Sequence, residues 1–180
     1  MKYIIGLGNP GEKYKNTYHN IAWLIFDALG LIDWKFDKYL NAEFTGEHRS
    51  DEIFIYLKPQ TFMNRSGEII KGLKKMKDFS PENLIVIHDD IDLPFGKVKL
   101  SYNRGDGGHN GVKSIIQHLK SKKFYRIRIG VAKVLENGEQ IKPNVLASLS
   151  EKEQKLSREK VLKEVEKILK TFTQKEINHV

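Results

Sequence analysis

His19, Asp89, Asn9, Asn64 and Asn110 are the residues of this chain whose types suit hydrolysis of a carbonyl compound. A neutral imidazole can take a proton from water as the water attacks a carbonyl, and a fixed amide NH₂ can support the oxyanion that develops. A carboxylate near a strand end, as Asp89 is expected to be, can hold the imidazole in one tautomer. A covalent route lacks an obvious nucleophile, because there is no cysteine and no G-x-S-x-G elbow. Water is the better candidate. The plain alternative is that His19 is structural and that Asn110 belongs to a helix cap after a flexible connector.

Two stretches invite other chemistry. In HDDID, residues 88–92, one histidine and three acids could bind a divalent metal. The following Leu93-Pro94-Phe95-Gly96 reads as a turn, where Asp is common for backbone hydrogen bonding alone, and no further ligands stand at fixed spacing. No metal is therefore expected. Gly6-Leu7-Gly8-Asn9-Pro10-Gly11 fits G-x-G-x-x-G after an apolar run. A dinucleotide turn needs its helix to begin within the motif and an acid at the end of the second strand. Here Pro10 lacks an N–H, the helical period starts near Ile21 after a cap at Asn16 or Thr17, and the second strand ends in Lys58-Pro59. The glycines are read as a tight strand exit whose Asn9 faces a ligand.

A second glycine-rich loop, NRGDGGHNGVKSI (103–115), lets the backbone approach a ligand closely before a helix. Lys97, Lys99 and Arg104 lie beside it. Strand alternation puts Arg126 and Arg128 on one face, so a phosphate-contacting patch is feasible. The net charge of +8, from 31 Lys+Arg against 23 Asp+Glu, leans the same way. Part of that excess lies in the alternating Glu/Lys of 151–176, which reads as an exposed helix face.

These residues need a scaffold. Apolar β-prone runs at 3–7, 53–58, 83–89, 97–102 and 125–131 alternate with helical spacing at Ile21, Leu24, Ile25, Ala28 and Leu29, and at Val112, Ile115, Ile116 and Leu119. This predicts an α/β fold, a single domain over 1–180, with a central mixed, mostly parallel sheet flanked by helices. Val161, Leu162, Val165, Ile168, Leu169 and Phe172 form one stripe of a C-terminal amphipathic helix. If the first three strands are parallel neighbours, Asn9, Asn64 and Asp89 meet at their carboxyl ends, where open α/β sheets bind ligands. No run approaches the roughly 18 apolar residues of a membrane span, and no signal-peptide pattern opens the chain, so a cytoplasmic protein is expected.

Taken in order, GLGNPGEKYKNTYHN (6–20), KPQTFMNRSG (58–67), HDDIDLPFG (88–96), GGHNGVKSI (107–115) and FYRIRIGV (124–131) resemble bacterial-type peptidyl-tRNA hydrolases. The resemblance implies a monomeric, cofactor-free esterase that cleaves a peptide, or an N-blocked amino acid, from the 3′-terminal ribose of tRNA. It makes His19 the base and Asp89 its orienting partner. Asn9 and Asn64 would hold the peptide and reacting carbonyl, and Asn110 substrate or water. Tyr14, Met63 and His109 would line the cleft, and Arg128 would contact the tRNA 5′-phosphate. The chain departs from the family pattern at Tyr18, commonly Arg, and Ala22, usually Gly. It departs also at Ser101, often basic, and Arg104, often Gly, which leaves Lys99 or Arg104 as substitutes in the phosphate contact. A non-catalytic RNA-binding module is the rival reading.

Overall fold

A computed structural model describes residues 1–173; residues 174–180 of the expected 1–180 unit lie outside the described residues. The strands are β1 (Lys2–Gly6), β2 (Lys35–Asp37), β3 (Ala42–Arg49), β4 (Glu52–Pro59), β5 (Leu84–Pro94), β6 (Val98–Tyr102), β7 (Tyr125–Val134) and β8 (Gln140–Ile141). The helices are α1 (Ile21–Ala28), α2 (Ile69–Leu73), α3 (Asn110–Leu119), α4 (Glu151–Leu156) and α5 (Leu162–Thr171). The sheet order is β2-β3-β4-β1-β5-β7-β6, with β8 on the far end of β7. The four central strands, β4, β1, β5 and β7, run parallel, and antiparallel pairing is confined to the edges. β1, β4 and β5 are thus parallel neighbours, as convergence of their carboxyl ends requires.

Central strands read as continuous apolar runs because both faces are covered. On one face α1 and the C-terminal helices bury Ile4, Phe26, Phe54, Tyr56, Val165 and Leu169; on the other α2 and α3 bury Ile5, Leu57, Ile70, Val86 and Ile115. Each such aliphatic or Phe side chain contributes about 1.5–3 kcal/mol. The C-terminal stripe is one amphipathic run broken by a π-helical turn at Ser157–Val161. β2, β3 and α2 go beyond the strands and helices expected from the sequence. β3, AEFTGEHR, is a polar edge-side strand that carries no apolar run.

The opening glycines make room for aromatic rings. A Cβ on Gly6 would lie 2.6 Å from Phe26, and one on Gly8 2.7 Å from Trp23. The Trp23 indole N–H also donates to the Gly6 carbonyl at 2.8 Å, so α1 is stapled to the exit of β1. Gly67 plays the equivalent part opposite α3: a Cβ there would meet the Ser114 carbonyl oxygen at 2.1 Å. The 3₁₀ stretch Met63–Glu68 consequently lies flat on α3, which sets where Asn64 emerges.

Candidate active site

Asp89 lies within β5 rather than at its end. The strand continues to Pro94 through a register shift after Asp90. The Asp89 carboxylate is 1% exposed and touches two imidazoles: His19 Nδ1 at 2.9 and 3.0 Å, and His109 Nε2 at 2.8 Å. Burial by itself would raise its pKa, but the electrostatic pull and hydrogen bonds of His109 and His19 hold it well below the usual carboxylate range.

The surrounding bonds fix the tautomers. His109 is the N-cap of α3, and its Nδ1 accepts the backbone N–H groups of Gly111 (3.1 Å) and Val112 (3.3 Å). Nδ1 therefore carries the lone pair, and Nε2–H donates to Asp89. This sets aside the plain alternative of an Asn cap: Asn110 is the first helical residue and is exposed. His19 donates through Nδ1, which leaves Nε2 as the basic nitrogen. It sits in the 3₁₀ turn Tyr18–Asn20 ahead of α1, not in the helix itself. Thr17 precedes that turn, and its hydroxyl donates back to the Tyr14 carbonyl instead of capping.

His88 is a participant the sequence reading did not assign. It is 2% exposed, its Nδ1–H donates to the Asp89 carbonyl oxygen at 2.6 Å, and its ring packs edge-on against His109 at 4.8 Å. Burial, reinforced by His109, pushes its pKa well below the ordinary histidine value. It is a neutral wall behind the Asp89 cluster.

Asn9 is likewise more committed than its sequence position suggests. Its Oδ1 accepts the Met63 N–H at 2.8 Å, while its backbone N–H and C=O pair with the Asn20 side chain, both at 2.9 Å. A backbone N–H can only donate, so Oδ1 and Nδ2 are assigned by the network, and the amide offers a ligand only its NH₂. Met63 is buried, with its sulfur against Gly111 beside His109, and Asn64 next to it is exposed. Tyr14 meets Phe62 edge-on at 6.2 Å on the outer side of this wall.

A cleft of about 420 Å³ is lined by His19, Asp89, His109, Asn110, Arg104 and Arg128, together with His88, Asp90, Arg126 and the glycine loop. Asn9, Tyr14, Met63 and Asn64 are not part of its lining; Met63 packs against Gly111, the residue after Asn110. Arg126 and Arg128 are not free cations. Arg128 Nε donates to Asp90 at 2.7 Å and Nη1 to Ser101 at 3.4 Å. Arg126 is 3% exposed and braces the loop through the Gly105 carbonyl at 2.8 Å. Burial and the neighbouring Arg128 and Arg104 lower its pKa to about 10. Lys99 is exposed on β6, opposite Arg128 in register and outside the cleft lining.

The acids of HDDID do not converge on one point. Asp90 holds Arg128, and Asp92 meets Lys142 at 2.7 Å. Among the described residues, the one cluster of metal-ligating types is His19, Asp89 and His109, within 4.8 Å of one another. Its nitrogens face the carboxylate at hydrogen-bond distances.

A sequence profile described as peptidyl-tRNA hydrolase matches residues 3–180. The peptidyl-tRNA hydrolase of Sulfurovum sp. strain NBC37-1 is 41% identical over 180 residues, spanning 100% of this chain and 93% of the relative. That of Listeria welshimeri is 44% identical over 139 residues, 76% of this chain and 75% of the relative. The crystal structure of peptidyl-tRNA hydrolase from Acinetobacter baumannii superposes with a TM-score of 0.79 at 28% identity, covering 96% of this chain and 90% of that one.

Proposed function

The chain belongs to the peptidyl-tRNA hydrolase family and acts on the ester bond of peptidyl-tRNA, and from that premise we propose that its nucleophile is a water molecule activated by His19. His19 Nε2 takes a proton as the water oxygen bonds to the ester carbonyl carbon. Asp89, bonded to Nδ1–H, stabilises the resulting imidazolium. Collapse of the tetrahedral intermediate breaks the bond to the 3′-terminal ribose oxygen, which recovers the proton from Nε2–H. The observation that carries this reading is the 2.9 Å contact between His19 and a carboxylate that is itself held by a second histidine.

Asn9 can present only N–H groups, which suits it to the carbonyl oxygen on which negative charge develops. Asn110, in the cleft lining, and Asn64, exposed on the Met63–Glu68 stretch, bind peptide backbone groups or water. A substrate with arbitrary side chains has to be recognised through such groups. Tyr14 and Met63 wall the peptide side, and His109 serves by fixing Asp89. Arg104, Lys99 and Arg128 receive a tRNA phosphate, with Arg128 exchanging Asp90 for it. The protein works as a single-domain monomer in the cytoplasm, without a cofactor or metal.

Hydrolysis of N-acetyl-aminoacyl-tRNA in ¹⁸O-labelled water with chelator present tests the reading. The expected result is undiminished turnover with one ¹⁸O in the released carboxylate and none in the tRNA. Loss of activity in chelator, or label in the tRNA, would contradict it.

A further inference from the structure

We propose that Tyr18, through its hydroxyl bond to Glu153, is a positioning residue that fixes the main chain of His19 against the C-terminal helices. The inference rests on His19 being the base.

His19 belongs to a three-residue 3₁₀ turn, a poorer anchor than a helix. Its main chain is held from outside by the segment 145–149, in addition to the side-chain bonds of Asn20 to Asn9 and of His19 to Asp89. The Tyr18 N–H donates to Ala147 O at 3.2 Å, His19 N–H to Val145 O at 3.0 Å, and Leu149 N–H to Asn16 O at 2.8 Å. That segment runs directly into the capping box of α4, where Glu153 accepts from the Ser150 N–H (2.8 Å) and hydroxyl (2.7 Å). The Tyr18 hydroxyl donates to the other oxygen of the same carboxylate at 2.8 Å, closing a ring of bonds across 135 residues of sequence. The Tyr18 ring is 2% exposed and meets Phe95 edge-on at 6.4 Å, just past the strand that carries Asp89. One side chain thereby touches the turn bearing the base, the end of the strand bearing its partner, and the helix cap that braces both. Burial and Glu153 raise the phenol pKa to about 12, so it remains a donor throughout the assay range.

Tyr18→Phe keeps the ring, its burial and the Phe95 contact, and removes only the hydroxyl. A displaced catalytic group costs between a few-fold and about 10²-fold in rate, and about tenfold is expected here, in kcat. KM should stay within about twofold, because no cleft contact is altered. The His19 Nδ1 proton resonance of the Asp89 hydrogen bond should broaden through faster exchange with water. Glu153→Gln still offers an oxygen to the phenol and should retain about half of wild-type kcat or more, while the Tyr18→Phe/Glu153→Leu pair should lose no more than Glu153→Leu alone. A lower Tm with kcat and the Nδ1 resonance unchanged, or a rise in KM alone, would overturn the proposal. If Tyr18→Phe does not fold, Glu153→Leu is read by the same kcat and resonance criteria. His19→Ala is assayed alongside: its near-normal activity would sink the base assignment, whereas an inactive His19→Ala with a fully active Tyr18→Phe would sink the positioning role alone.

Discussion

Asp89 and Asp90 are consecutive residues of β5 that serve opposite faces of the sheet, and they have been given different kinds of neighbourhood. Asp89 is sealed in, with both oxygens engaged by histidines whose tautomers are dictated by an N-cap and by the carboxylate itself. Asp90 holds one guanidinium, that of Arg128, next to a glycine loop carrying exposed Arg104. In the proposed roles proton transfer depends on where a lone pair points, which suits the largely buried first cluster with its redundant bonds. Phosphate capture depends mainly on positive potential, which tolerates exposure and exchange of partners. The chain's departures at Ser101 and Arg104 fall in the second cluster; none replaces His19, Asp89 or His109, though Tyr18 stands in the turn that carries His19.

If that contrast is right, disturbing the first cluster has the larger consequence. Asp89→Asn should lower kcat by about 10²-fold or more, since a neutral amide stabilises no imidazolium and its NH₂ presents a donor where the carboxylate offered a second accepting oxygen to His19. Single-turnover hydrolysis checks it, and a loss under about fivefold would show that the carboxylate is merely structural. Next in size is the platform under Asn64. Gly67→Ala drives a methyl toward the Ser114 carbonyl oxygen and should cost about 2–3 kcal/mol in urea unfolding. An unchanged midpoint would mean that the turn shifts freely.

Arg128→Ala, in the second cluster, should weaken tRNA binding about fivefold and reduce the slope of log K against log salt by about one. An unchanged slope would assign Arg128 to structure through Asp90 alone. The smallest effect concerns pH. His88 is held neutral in the folded state, so below about pH 6.5 the unfolded chain binds the extra proton and stability falls with falling pH. The slope reaches at most about 1.4 kcal/mol per pH unit until the depressed folded pKa is passed. Asp89, whose folded pKa is also depressed, adds a further loss only below about pH 4. His88→Phe should flatten chemical-denaturation stability between pH 5 and pH 6.5, roughly the window where an ordinary histidine titrates; an unflattened curve would place the titrating group elsewhere.

The parallel centre of the sheet was legible because strands covered on both faces must be apolar along their length, as YIIG and LIVIH are. β3 was not, because AEFTGEHR lies toward an edge and alternates with polar residues. In the site, the pairing of His19 with Asp89 followed from placing both near one edge of the sheet, although Asp89 lies inside β5 and His19 in the turn before α1. What the residues alone could not reveal depends on who the neighbours are. Asn9 spends its acceptor on Met63, Arg128 is tied to Asp90 across β5 and β7, and His88 differs from any strand histidine only through its burial against His109. The Asn20 side chain, which grips the Asn9 backbone, stands beside His19 in sequence, and that adjacency was the one available hint.

The most direct test of the central claim is single-turnover hydrolysis of N-acetyl-aminoacyl-tRNA by His19→Ala, with tRNA affinity measured on the same preparation. A rate lower by at least ~10²-fold at unchanged affinity is the predicted result. Hydrolysis at close to the wild-type rate would contradict it.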